Sequence, residues 1–156
     1  MTTKYWLIVS RLIISSQHLC QNVSKENVTS EQIQALHNEM LKLIHRAYHQ
    51  LKKAKGPVFA KSTLIPVAIF LDEWILTTLF TSAPNRWPLL QSKCFKIKHG
   101  GVLLYQLLDK YLAQPSCSNF TLEIYYFVVK SGFKGALYSN EKKRNNYLKI
   151  LTKKLS

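Results

Sequence analysis

Acidic side chains are scarce in this chain. Its 156 residues hold eight Asp and Glu against 22 Lys and Arg, a formal net charge of +14. A surface this lopsided favours nucleic acid, an anionic membrane or an acidic partner protein. Cysteine is scarce too: three residues with no CxxC pair exclude a disulfide framework or a zinc module. Five glycines and five prolines exclude collagen-like or linker-like composition. Long apolar runs are absent, since the longest, Leu64 to Leu71, falls far short of the roughly 20 residues that cross a bilayer.

The N-terminus resembles a signal peptide only superficially. Tyr5 to Val9 is apolar and Leu12 to Ile14 continues it, but Arg11 cuts the run. His18 and Leu19 before Cys20 are not the small residues of a cleavage site. Secretion is not expected, so the sequons at Asn22, Asn27 and Asn119 carry no weight and the chain is expected to be soluble. What is present is apolar material: 47% hydrophobic and 12% aromatic residues exclude a disordered chain and suffice for a single domain over 1–156.

Helical spacing dominates. Ile33, Leu36, Met40, Ile44, Ala47, Tyr48 and Leu51 recur three or four apart, which predicts a helix from Ser30 to Lys55. Thr29 and Gln32 form a capping-box pattern at its start, and Gly56-Pro57 supplies the stop. An earlier helix is expected over about 4–20, followed by a polar connection over 21–27. From Ser62 to about Phe80 the chain is apolar almost all round, a central buried helix with Pro66 near its start. Pro84 to Pro88 reads as a joint and Leu89 to Lys96 as a short segment. Gly100-Gly101 precedes a helix with a stripe of Leu104, Tyr105, Leu108, Tyr111 and Leu112. Thr121 to Val129 has strand propensity, but a lone strand cannot satisfy its backbone, so a helix is expected there. The last stretch, Asn140 to Leu155, sets Tyr147, Leu148, Leu151 and Leu155 against a basic face.

The search for chemistry is largely negative. His45 and His49 are four apart, yet no acid lies between them and Arg46, Lys52 and Lys53 surround them, so no metal is expected. Cys20, Cys94 and Cys117 stand in no activating motif, and no nucleophile elbow, phosphate loop or dinucleotide fingerprint appears. No cofactor is expected, and a hydrolase built on Asp72 and Glu123 would have neither nucleophile nor metal. Asp72 and Glu73 stand out as acids inside an apolar helix of a basic chain. Adjacent on a helix, they point about 100° apart: one reaches a neighbouring helix while the other borders a groove. A charge-assisted bond locking the bundle and an acidic spot in a docking cleft are equally compatible with them. The lysines and arginines at 42–61 and 142–154 read mainly as solvated helix faces. A basic nucleic-acid-binding helical module is the alternative reading, although no recognition motif accompanies the charge.

An ordered series of motifs then resembles the DotU/IcmH family, called TssL in type VI secretion systems. The series begins with Phe70-Leu71-Asp72-Glu73-Trp74-Ile75-Leu76 and continues through Trp87 with Leu89-Leu90. It passes Gly100-Gly101 with Tyr105 and Leu108, then Leu122-Glu123-Ile124-Tyr125-Tyr126, and ends with Gly132-Phe133-Lys134-Gly135 and Tyr138. Ser139 stands where the family tends to have arginine. The resemblance implies an all-α domain of about six to eight helices in two small bundles, the bundle being a common way to bury amphipathic helices. It implies a non-enzymatic scaffold of the inner-membrane complex, at the cytoplasmic face of the bacterial inner membrane. The implied partners are an IcmF/TssM-type membrane protein and the baseplate, with a homodimer also allowed and no nucleic acid. The resemblance implies a C-terminal membrane helix beyond Ser156, with a naturally short, peripheral member as the alternative. Asp72 and Glu73 are the candidates for the groove where a partner docks, with Glu123 second. Trp74, Trp87, Phe95, Tyr105, Tyr125, Tyr126 and Phe133 are expected in the core or between bundles, with Gly132 and Gly135 at a tight turn.

Overall fold

The computed structural model describes residues 2–23 and 27–156. Seven α-helices and no strand occur among the described residues, and the chain divides into two compact units, Met1–Lys96 and Ile97–Ser156. The first contains α1 (Thr3–Gln21), α2 (Ser30–Lys55), α3 (Pro57–Thr78), a 3-10 turn (Pro84–Arg86) and α4 (Leu90–Phe95). The second contains α5 (Gly100–Leu112), α6 (Asn119–Lys130), a 3-10 turn (Gly135–Leu137) and α7 (Glu141–Leu155). Of the polar connection expected over 21–27, positions 24–26 lie outside the described residues. No helix among the described residues is long and apolar enough to cross a membrane. All three tryptophans belong to the first unit.

In the first unit α2 packs against both α1 and α3. Its start is fixed by a closed capping box: Gln32 N donates to Thr29 Oγ1 at 3.1 Å and Thr29 N to Gln32 Oε1 at 2.9 Å. The predicted stripe of Ile33, Leu36, Met40, Ile44, Ala47 and Leu51 is buried, and Tyr48 is half-buried. Gly56 ends α2 at φ +91, and Pro57 is already the first residue of α3. The same dipeptide therefore stops one helix and starts the next. The central helix begins at Pro57 rather than at Ser62, which places Pro66 in its interior rather than near its start. There the proline removes one ladder hydrogen bond, and its burial offsets part of that loss. Arg86 donates to the Val28 carbonyl at 2.7 Å, tying the joint after α3 to the segment before α2.

The second unit is organised around a backbone contact. A Cβ on Gly135 would meet Gly101 O at 2.8 Å and Gly101 Cα at 2.9 Å, so only two glycines let the start of α5 touch the 3-10 turn. The strand-prone segment Thr121 to Val129 is helical within α6, capped by Ser118, whose Oγ accepts from Thr121 N at 3.3 Å. It buries Phe120, Leu122, Ile124, Tyr125, Val128 and Val129. At its end Gly132 takes φ +103; its N–H donates to the Val129 carbonyl and Phe133 N to the Val128 carbonyl. That pair of bonds is a Schellman motif, and the buried Phe133 supplies its apolar closure. Tyr105 stacks on Tyr147 at 5.3 Å and donates its hydroxyl to the Phe133 carbonyl at 3.3 Å. Tyr147 donates to Asp109 at 2.7 Å, and Arg144 reaches the Leu137 and Tyr138 carbonyls. Of the expected stripe on α5, Leu104, Tyr105 and Leu108 are buried while Tyr111 and Leu112 are half-buried.

Candidate functional site

Asp72 and Glu73 lie in the last two turns of α3 and diverge as their helical spacing requires. Asp72 is 1% exposed and accepts four hydrogen bonds from its own chain. Oδ1 accepts from Trp87 Nε1 at 3.0 Å and from Leu90 N at 2.8 Å. Oδ2 accepts from Gln91 N at 2.9 Å and Gln91 Nε2 at 3.0 Å. Two of these donors are first-turn amides of α4, which have no partner within their own helix. Leu89, at the cap position of α4, has no side chain that could serve them. The cap is supplied instead by a carboxylate from α3, and it favours the positive end of the helix dipole.

The energetics of this corner run in two directions. Burial pushes the Asp72 carboxyl above the usual carboxylate range, while the four N–H donors pull it back down. Trp87 is held by its indole bond and by stacking on Phe80 at 5.7 Å, and it meets the edge of His37 at 5.3 Å. His37 is itself buried. Its Nε2 has no partner among the described residues. Burial lowers its pKa, partly opposed by the Asp72 charge, so the ring is held neutral.

Glu73 behaves differently. It is half-buried and keeps part of its side chain at the surface. The first unit thus brings together Asp72, Trp87 and the Leu89-Leu90 motif. Trp74 is half-buried. Glu123 is half-buried on α6 of the second unit. In that unit Gly100 and Gly101 open α5, Gly101 meets Gly135, Phe133 packs on Tyr105, and Tyr125 is fully buried. Phe95 and Tyr126 are half-buried rather than in the core. Burial pushes the thiols of Cys20 and Cys94 up to about 11, the opposite of activation. Among the described residues no group of three or more His, Cys, Asp or Glu is placed to hold a metal ion.

Sequence reasoning missed His37 and Gln91. His37 carried a signal, because it falls on the α2 stripe between Ile33 and Met40. Gln91 carried none; its role follows only from where α4 docks.

Across residues 13–156 the chain matches the family model described as type VI secretion system protein DotU. Among solved structures, that of DotU from Francisella novicida is similar, with a TM-score of 0.79 and 21% sequence identity over 98% of this chain and 99% of that one. At that identity the likeness establishes the fold. No curated protein sequence matches.

Proposed function

The chain belongs to the DotU family and is thus a type VI secretion system component, and from that premise we propose that it is a non-enzymatic scaffold of the inner-membrane complex. In this reading it stands at the cytoplasmic face and links an IcmF/TssM-type membrane protein to the baseplate. The observation that carries the proposal is the division of labour between the two adjacent acids. Asp72 is consumed in fixing α4 and Trp87, whereas the adjacent Glu73 is only half-buried and lies on α3 beside that fixed corner. An acid held next to a rigid corner of a strongly basic protein suits a cationic patch on a partner. Glu123 is a second docking residue in this reading. The nucleic-acid alternative receives no support from the family match.

The test is co-purification with an IcmF-type partner. Glu73→Lys should weaken capture while leaving the helical circular dichroism spectrum unchanged. Capture at the wild-type level by a folded Glu73→Lys protein would remove Glu73 from the interface. Asp72→Ala is the companion variant, in which lost capture should track lost stability.

A further inference from the structure

Elsewhere in the first unit, residues of α2, α3 and α4 line an open cleft of about 540 Å³. This lies within the range of about 300–1,000 Å³ typical of sites that receive a compact group. Its wall is apolar and aromatic: Ile44 is buried, and Tyr48 and Phe95 are half-buried. Its rim is cationic, with Lys61 from α3, Lys93 from α4 and Lys96 just past the end of α4, all exposed. No Asp or Glu lines the cleft, and none of the three lysines has an ion-pair partner among the described residues. Lys96 holds φ +58, a left-handed position where glycine or asparagine is the usual residue.

The order of these layers selects the occupant. Cations around an apolar floor suit a protruding apolar side chain flanked by carboxylates. A membrane surface wants the reverse, with apolar groups projecting and cations behind them. A nucleic-acid duplex wants a long stripe of phosphate contacts rather than a recess. We propose that this cleft is a docking site for an acidic peptide segment of a partner protein, an aromatic side chain seated between Tyr48 and Phe95 and its flanking carboxylates on Lys61, Lys93 and Lys96. The proposal goes beyond the reading of Glu73, which concerns a cationic partner surface, and does not depend on it.

The probe is a short fluorescein-labelled peptide with one phenylalanine between glutamates, titrated into the intact protein by anisotropy. Saturable binding is expected. Lys93→Glu with Lys96→Glu should weaken it about tenfold, the effect of roughly 1.4 kcal/mol from two reversed charges. Replacing the peptide phenylalanine by glycine should weaken it as well. Lys142→Glu with Lys149→Glu, on α7, should leave it within twofold. Absence of saturable binding, or equal weakening by the α7 pair, would overturn the proposal. So would tighter binding of oligothymidylate or of phosphatidylglycerol vesicles than of the peptide. If the Lys93/Lys96 variant fails to fold, chemical-shift mapping on the wild-type protein decides, because shifts that spare Tyr48 and Phe95 refute the site.

Discussion

Replacing Asp72 by alanine should destabilise the first unit far more than the loss of a single charge from α3 suggests. The carboxylate accepts from four N–H groups in a place that is 1% exposed, so the variant strands four donors at once. Each net hydrogen bond is worth about 1 kcal/mol, and more when the acceptor is charged. Relief of the buried carboxylate's own desolvation returns part of that sum. The balance is a loss of about 3 kcal/mol, a large fraction of the roughly 5–15 kcal/mol that holds a domain together. Because α4 spans only Leu90–Phe95, too short to persist alone, it should be the element released first. Urea unfolding followed by circular dichroism measures the loss, with Glu73→Ala as the reference. The reference should cost less than about 1 kcal/mol, the usual range for a substitution outside a buried network. Equal effects of the two substitutions, or a loss at Asp72 below about 1 kcal/mol, would refute the account of Asp72 as the cap of α4.

His37 should give a separate pH signature. Its folded-state pKa lies below the ordinary value of 6.5, so the unfolded chain takes up a proton that the folded chain refuses. Its stabilisation is complete above pH 6.5 and is lost as pH falls through 6.5 toward the folded pKa, with a limiting slope of about 1.4 kcal/mol per pH unit. Urea midpoints between pH 7 and pH 5 should therefore fall less in His37→Phe than in wild type; identical slopes would contradict the assignment. Gly135→Ala should be the most damaging glycine substitution in the second unit, because its Cβ would stand 2.8 Å from Gly101 O at a φ of +52. A loss of about 3 kcal/mol is expected there against about 1 kcal/mol for Gly132→Ala, which has open space but also positive φ. A thermal melt ranking Gly132→Ala as the worse variant would invert this reasoning.

Some elements could be read directly from the residues. The α2 helix was legible at both ends, since capping chemistry and a Gly-Pro stop are local signals. The Gly132-Phe133-Lys134-Gly135 turn was legible for the same reason. The start of α3 was not, because Gly56-Pro57 reads as an ending as readily as a beginning. For α6, β-branched and aromatic residues pointed the wrong way, and the flanking helices, the missing partner strand and the closing Gly132 argued for a helix. That is a case of tertiary packing overriding local propensity. Half of the candidate site was visible: adjacency alone said that Asp72 and Glu73 must diverge. Which of them turns inward, and that Trp87, Leu90 and Gln91 wait there, depends on a chain reversal 15 to 19 positions later that no periodicity encodes. Glu123 was visible only as one of the few acids of a strongly basic chain.

The confinement of Trp6, Trp74 and Trp87 to the first unit gives the molecule a natural optical label. Indole emission excited at the red edge reports on Met1–Lys96 alone, while the tyrosines of Ile97–Ser156 are silent under that light. Comparing this emission with the far-ultraviolet signal of the whole chain would show whether the two halves melt as one cooperative body or in turn.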